Sequence, residues 1–252
     1  MTIQLAINEA EERKLREDLA ACFRLAALDG WDDLLMAHIS ARIPGEDAYL
    51  IQPQMLRFDE VTASRLHLLN RQGQHIRPSD EPTHAFAFPM HLAVYNAIPD
   101  AACVFHVHTK AGIAVSMQAQ GLLPSNQYAL WLGKIAYHDY EGFLWGKHEE
   151  EKLAKCFAES RIVILKGHGL IVWGRSIPEA YVLSYCLNRA CEAQIASGTG
   201  PGGLEPYIPP QEVIDRVPGE AGIITDGNSP FVAMAWRSLQ RRLARHAPDY
   251  TE

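Results

Sequence analysis

The chain has 252 residues, 48% hydrophobic and 21% charged, the balance of an ordinary globular protein rather than a disordered, collagen-like or coiled-coil one. Lys and Arg number 23 against 30 Asp and Glu, a net charge of −7, so nothing draws the surface generally to nucleic acid or an anionic membrane, and neither is an expected partner. The N-terminal stretch MTIQLAINEAEERKLRED turns charged early and no run of about 18 apolar residues follows, so no signal peptide or membrane span is predicted and the expected location is the cytoplasm.

Residues 8–29 place apolar side chains three and four apart and stop at Asp29-Gly30, which predicts an amphipathic helix. Short β-type pieces follow: LLMAHISARI (34–43), DAYLIQP (47–53) and HLLNRQGQHI (67–76), the last alternating around Gly73. Residues 81–97 read as a helix with Pro82 and Pro89 in its early part, closed by Ile98-Pro99-Asp100. A buried strand is expected at 102–108, a helix over Lys110–Gln118, a further apolar segment at 129–142 and a two-faced helix over 148–160. RIVILKGHGLIVWG (161–174) reads as two strands pinched at Gly167 and Gly169, leading into a long helix over 176–197. The Gly-rich run at 198–203 and the prolines through Pro210 mark a linker, after which only residues 231–246 look regular. Helices alternating with strands predict one three-layer α/β domain over residues 1–200. Residues 201–252 are expected to form an extension of loop plus helix that packs on the domain or on a neighbouring subunit.

The five cysteines, Cys22, Cys103, Cys156, Cys186 and Cys191, form no CxxC pair and are expected to be reduced core residues. Histidine is the residue type that departs from the average: 11 residues, nine of them between 67 and 168. In His106-Val107-His108, at the end of the strand-like run, alternation puts both imidazoles on one face about 6–7 Å apart at Cβ, a spacing that suits a shared cation. Two half-buried histidines bonded to backbone would look the same. In Lys166-Gly167-His168-Gly169, flanking glycines permit a tight corner that presents a third imidazole.

The order of these motifs resembles the class II aldolase/adducin family. The matching stretches are MHLAVYNAIPDAACVFHVHTKAGIAVS (90–116), YHDYEG (137–142) and ILKGHGLIVWGRSIPEAY (164–181), with ISAR (39–42) and the first helix extending the likeness over about 10–197. The resemblance implies a three-layer αβα domain around a mainly antiparallel sheet, and one divalent cation on His106, His108 and His168. Zinc is the first choice of metal, with manganese and iron open. It also implies a homotetramer with sites at subunit interfaces. The adducin-like branch is expected to lack the metal histidines, so this chain reads as an adducin-like member that keeps them.

Two departures from the family pattern bear on the substrate. Where sugar-phosphate aldolases have Gly-Asn-x-Ser and Ser-Gly loops for a phosphate, this chain has Met36-Ala37-His38-Ile39-Ser40 and Gln52-Pro53-Gln54-Met55, with Asp32 and Asp33 just upstream; a phosphorylated substrate is therefore not expected. The glutamate four residues before the histidine matching His91 is replaced by Ala87. Glu81, about ten residues upstream of His91, is too far to be the same group without a local rearrangement, and on that condition is the substitute carboxylate candidate.

His138 and Tyr140 are the other catalytic candidates, against the alternative that 137–142 is only a polar turn with Glu141 structural. His84 and His38 are candidate substrate contacts. His91 is expected in the core, and His67, His75 and His148 at the surface. Phe86, Phe88, Trp131 and Trp145 hint at a less polar substrate than a sugar. The expected function is a metal-dependent lyase cleaving a C–C bond, by decarboxylation or aldol chemistry, in a non-phosphorylated 2-hydroxy or 2-oxo acid or related carbonyl compound. A non-heme iron oxygenase and a non-catalytic adducin-like binding module are the alternatives.

Overall fold

A computed structural model describes residues 8–85, 87–142, 147–198 and 203–252, residues 147–149 by their backbone alone. Helix α1 (Glu9–Leu28) starts on a capping box in which the Asn8 side chain accepts from the Glu11 N–H and Glu11 reaches back to the Asn8 N–H. Strands β1 (His38–Arg42), β2 (Ala48–Ile51) and β3 (His67–Asn70) follow, then α2 (Phe88–Ala97), β4 (Cys103–Val107), α3 (Lys110–Ser116), α4 (Gln127–Leu132), β5 (Ala136–His138), α5 (Lys147–Glu159), β6 (Ile162–Leu165), β7 (Gly169–Gly174) and α6 (Ile177–Ala196). The sheet order is β3-β2-β1-β4-β7-β6-β5. Every pairing is antiparallel except β5 with β6, which the α5 crossover joins in parallel.

Both faces of the sheet are covered, so nearly all its residues are buried and alternation only decides which helical layer each one meets. Ile39 and Ala41 of β1 and Cys103, Phe105 and Val107 of β4 pack with α1 and α6. Val104 of β4, with Ile51, Val163 and Ile171, packs with α2 and α5 through Val94, Leu153 and Phe157. The intervening residues His38, Ser40 and His106 therefore share the α2 face, and His38 sits directly opposite His106 across the β1–β4 ladder. All five cysteines are free, Cys156 half-buried and the others buried.

Three expectations need correction. The helix expected from residue 81 starts at Phe88: Pro89 suits a first helical turn, but Pro82 disfavours helix before it, and Pro82 O instead accepts from the Gln54 N–H at 3.0 Å. The apolar segment 129–142 divides into the end of α4 and β5 around Gly133. Beyond the linker, α7 (Gln211–Glu220) and α8 (Gly222–Thr225) are regular as well as α9 (Pro230–His246); Pro218 inside α7 had hidden its pattern. Helix α9 packs on α1 and α6, burying Val232, Trp236 and Leu243, and the Trp236 Nε1–H donates to Asp18 at 3.2 Å. Among the described residues no helix is long and apolar enough to cross a membrane.

Candidate metal centre

The topology gathers the histidines at one end of the sheet. His38 opens β1, His106 and His108 lie at the end of β4, His138 ends β5, and His168 occupies the β6–β7 turn. His106, His108 and His168 each offer a ring nitrogen within 4.8 Å of the other two, with ring centroids 4.6–5.1 Å apart.

The neighbours fix how two of the rings are protonated. His106 Nδ1 lies 2.9 Å from the Leu170 carbonyl, which can only accept, so the proton is on Nδ1 and Nε2 keeps its lone pair. His108 Nδ1 lies 3.0 Å from Asp33 Oδ2, which leaves His108 Nε2 buried with no hydrogen-bond partner. A buried nitrogen lone pair beside two further imidazoles fits a divalent cation, and three neutral imidazoles suit zinc and its neighbours in the first transition row. Burial, then the neighbouring imidazoles, pushes His106 well below the ordinary histidine value and His168 down to about 4. Burial also lowers His108 against the opposing pull of Asp33. All three rings are therefore neutral at pH 7 and able to ligate.

The glycine after His168 is a steric requirement: a Cβ on Gly169 would lie 2.7 Å from His108 Cδ2 and 2.8 Å from the Val107 carbonyl oxygen. Backbone bonds hold the turn, with the Lys166 N–H on His138 O, the Gly167 N–H on Ser116 O and the His168 N–H on Leu165 O.

His38 and His84 border the centre. The His38 ring is 4.7 Å from His106 and 5.2 Å from His84, and the His84 Nε2–H donates to the Leu35 carbonyl at 2.9 Å. His138 and Tyr140 line a small cavity with His168, the Tyr140 ring meeting His168 edge-on at 6.4 Å. Glu141 pairs with Lys152. Glu81 is not brought to the centre: it pairs with Arg65 at 2.5 Å and its N–H bonds the Ser79 hydroxyl, in a different cleft. No carboxylate stands at Ala87, which is buried at the head of α2.

His91 is in the core as expected, but it is also bonded. Its Nε2 lies 2.6 Å from His38 Nδ1, its Nδ1 lies 2.6 Å from Ser40 Oγ, and Ser40 Oγ lies 2.7 Å from the Tyr95 hydroxyl. His67, expected at the surface, is buried against His75, which is half-buried. Phe88 belongs to the α2 core and Trp131 to a patch with α6 and Val232, so neither lines the centre; Phe86, Trp145 and the His148 side chain lie outside the described residues. Sequence reasoning missed the roles of Asp33, Ser40 and Tyr95. Only the two-residue step from His38 to Ser40 within a strand carried a signal.

A mixed sheet between helical layers, with three convergent imidazoles at its strand ends, defines an α/β protein with a candidate cation centre. The chain belongs to the class II aldolase and adducin N-terminal domain family, which matches residues 17–195. It is 39% identical over 244 residues, 96% of this chain and 94% of the other, to a Pseudomonas aeruginosa protein named only provisionally as a class 2 aldolase. It is 42% identical to Rattus norvegicus alpha-adducin over 200 residues, 77% of this chain but 27% of the adducin. A crystal structure of an aldolase II superfamily protein from Pseudomonas syringae superposes with a TM-score of 0.91 at 37% identity, covering 98% of both chains.

Proposed function

We propose that this chain is a metal-dependent lyase that cleaves a C–C bond in a non-phosphorylated 2-hydroxy or 2-oxo acid, by decarboxylation or aldol chemistry, with one divalent cation on His106, His108 and His168. The observation that carries the proposal is the buried, unpartnered His108 Nε2 within reach of the other two ring nitrogens. A divalent cation held there supplies Lewis acidity toward a substrate oxygen, and three protein ligands leave positions for one.

The chain's own residues define the rest of the cleft. Asp33 and the Leu170 carbonyl orient two of the ligating rings. His38 and His84 bind the substrate from the α2 side. His138 and Tyr140 move protons from the other side, the Tyr140 hydroxyl being on the more exposed of the two side chains. Phosphate is disfavoured because the 32–36 turn presents carboxylates, one on Arg57 and one on His108, and spends the Met36 N–H on Asp33 O. Zinc is the proposed metal, and a cytoplasmic homotetramer the proposed form.

The likeness to alpha-adducin and the alanine at position 87 favour a second reading, an adducin-like binding module without catalysis. Metal analysis of protein purified from metal-supplemented cultures separates the two. One equivalent of cation in the wild type and none in His106→Ala is expected; a metal-free wild type overturns the lyase. Dioxygen uptake by the iron-loaded protein with aromatic 2-oxo acids would assign it instead as an oxygenase. A monomeric mass in solution would overturn the tetramer.

A further inference from the structure

Four buried polar groups run in single file from the metal centre into the core: His38, His91, Ser40 and the Tyr95 hydroxyl, joined by contacts of 2.6, 2.6 and 2.7 Å. His91 and Ser40 are fully buried, while His38 and Tyr95 are 4% and 3% exposed. Each group carries one proton to donate, so the file has two polarities of uniform direction, and the one mixed arrangement, with Ser40 accepting from both His91 and Tyr95, leaves the Ser40 proton unused. In one, protons point from His38 toward Tyr95, and the Tyr95 O–H is left buried with nothing to donate to, because its only hydrogen-bond partner among the described residues is Ser40. In the other, Tyr95 donates to Ser40, Ser40 to His91 Nδ1, and the His91 Nε2–H to His38 Nδ1, so every proton in the file itself is used. An unused buried hydroxyl is costly, so the second polarity prevails.

Its consequence appears at the centre. With Nδ1 accepting, the His38 proton must sit on Nε2, the ring nitrogen directed away from His91. The structure assigns His38 as a neutral N–H donor to a substrate oxygen beside the cation site, held in that tautomer by the positioning residues His91, Ser40 and Tyr95. His38 cannot then be the general base that replaces the missing glutamate; it is a fixed dipole directed at an oxygen that gains charge during reaction. His84 is of the opposite kind, since its Nε2–H is committed to Leu35 O and its Nδ1 is a buried acceptor without a partner. The centre thus presents a donor and an acceptor on rings 5.2 Å apart, a combination suited to a substrate bearing both an oxyanion and a hydroxyl or acid proton.

The catalytic use of this donor rests on the proposed lyase function, but the proton's position does not, which keeps the two failures distinguishable. Two-bond proton–nitrogen NMR on metal-free, histidine-labelled protein reads the tautomer directly, with the His38 signals assigned by their loss in His38→Gln. The Nε2–H form is expected at pH 7; the Nδ1–H form or an imidazolium overturns the assignment whether or not the protein binds metal. Ser40→Ala removes the group that relays the polarity, and a mixture of tautomers is expected; an unchanged pure Nε2–H signal overturns the positioning role.

Calorimetry with zinc-loaded protein then tests the donor, using oxalate as the oxyanion probe after zinc binding has been confirmed for each variant. His38→Gln keeps an amide N–H near the Nε2 position and should bind oxalate within a few-fold of wild type, while His38→Leu should lose about tenfold or more, the size of one hydrogen bond to a charged group. Equal oxalate affinity in His38→Leu and wild type overturns the donor role.

Discussion

At the scale of single residues, the centre depends on contacts that no local pattern announces. Asp33 lies 75 positions from His108 yet fixes that ring through one bond. Asp33→Asn keeps the shape and removes the charge, and should weaken zinc binding about 10–100-fold with the fold intact, as loss of an orienting partner does elsewhere; metal titration against a competing chelator measures it, and an unchanged affinity would reassign Asp33 to the turn alone. Gly169→Ala should do more, because its Cβ meets the backbone at Val107 as well as the edge of His108, and backbone cannot step aside. Loss of zinc together with a lower melting temperature is the expected result. The convergence of His106, His108 and His168 was legible, since an alternating HxH and a glycine-flanked histidine each carry local geometry. Glu81 was a candidate only through a local rearrangement toward His91, and its partner Arg65 is set instead by tertiary packing that spacing does not encode.

At the scale of elements, most helices and strands were visible in the periodicity, because a sheet covered on both faces makes strands such as IVIL continuous apolar runs. Proline hid two element boundaries, Pro82 lying outside α2 and Pro218 inside α7, and Gly133 divided the apolar run at 129–142. The joints between elements were not visible. Glu179, fully buried in the first turn of α6, pairs with Arg161 and accepts from the Arg175 and Gly227 N–H groups, so one carboxylate ties the edge of β6, the start of α6 and the turn before α9. Glu179→Ala should lower unfolding free energy by about 3 kcal/mol, since it leaves a guanidinium and two N–H groups without their acceptor. Chemical denaturation gives the value, and a loss under about 1 kcal/mol would mean that water replaces the carboxylate.

At the scale of the whole molecule, buried neutral histidines make stability depend on pH. His67, remote from the metal centre, is pushed down to about 4 from 6.5 by burial and then by His75. Unfolded His67 takes a proton below 6.5 whereas the folded ring resists until about 4, so the unfolded state binds more protons across that window. Stability is kept above pH 6.5 and lost as pH falls through it. His67→Phe should reduce the slope of unfolding free energy between pH 6 and pH 4 by up to about 1.4 kcal/mol per pH unit, one proton's worth; an identical slope would place the proton uptake elsewhere. Cation binding acts on the same balance. Zinc at about 100 times its dissociation constant should add about 2.7 kcal/mol to the wild type and nothing to His106→Ala, read as a shift in melting temperature.

Leu34 is the only non-glycine among the described residues with a positive φ, at 48°, and its side chain is 67% exposed. It stands between Asp33, which holds His108, and Leu35, whose carbonyl holds His84. One turn with an uncommon backbone conformation therefore anchors both His108, a ligand in the proposed cation site, and His84, a proposed substrate contact. If metal and substrate binding are coupled through this turn, reciprocity requires each to change the other's affinity by the same factor, and Leu34→Gly, which relieves the positive φ, should change that factor.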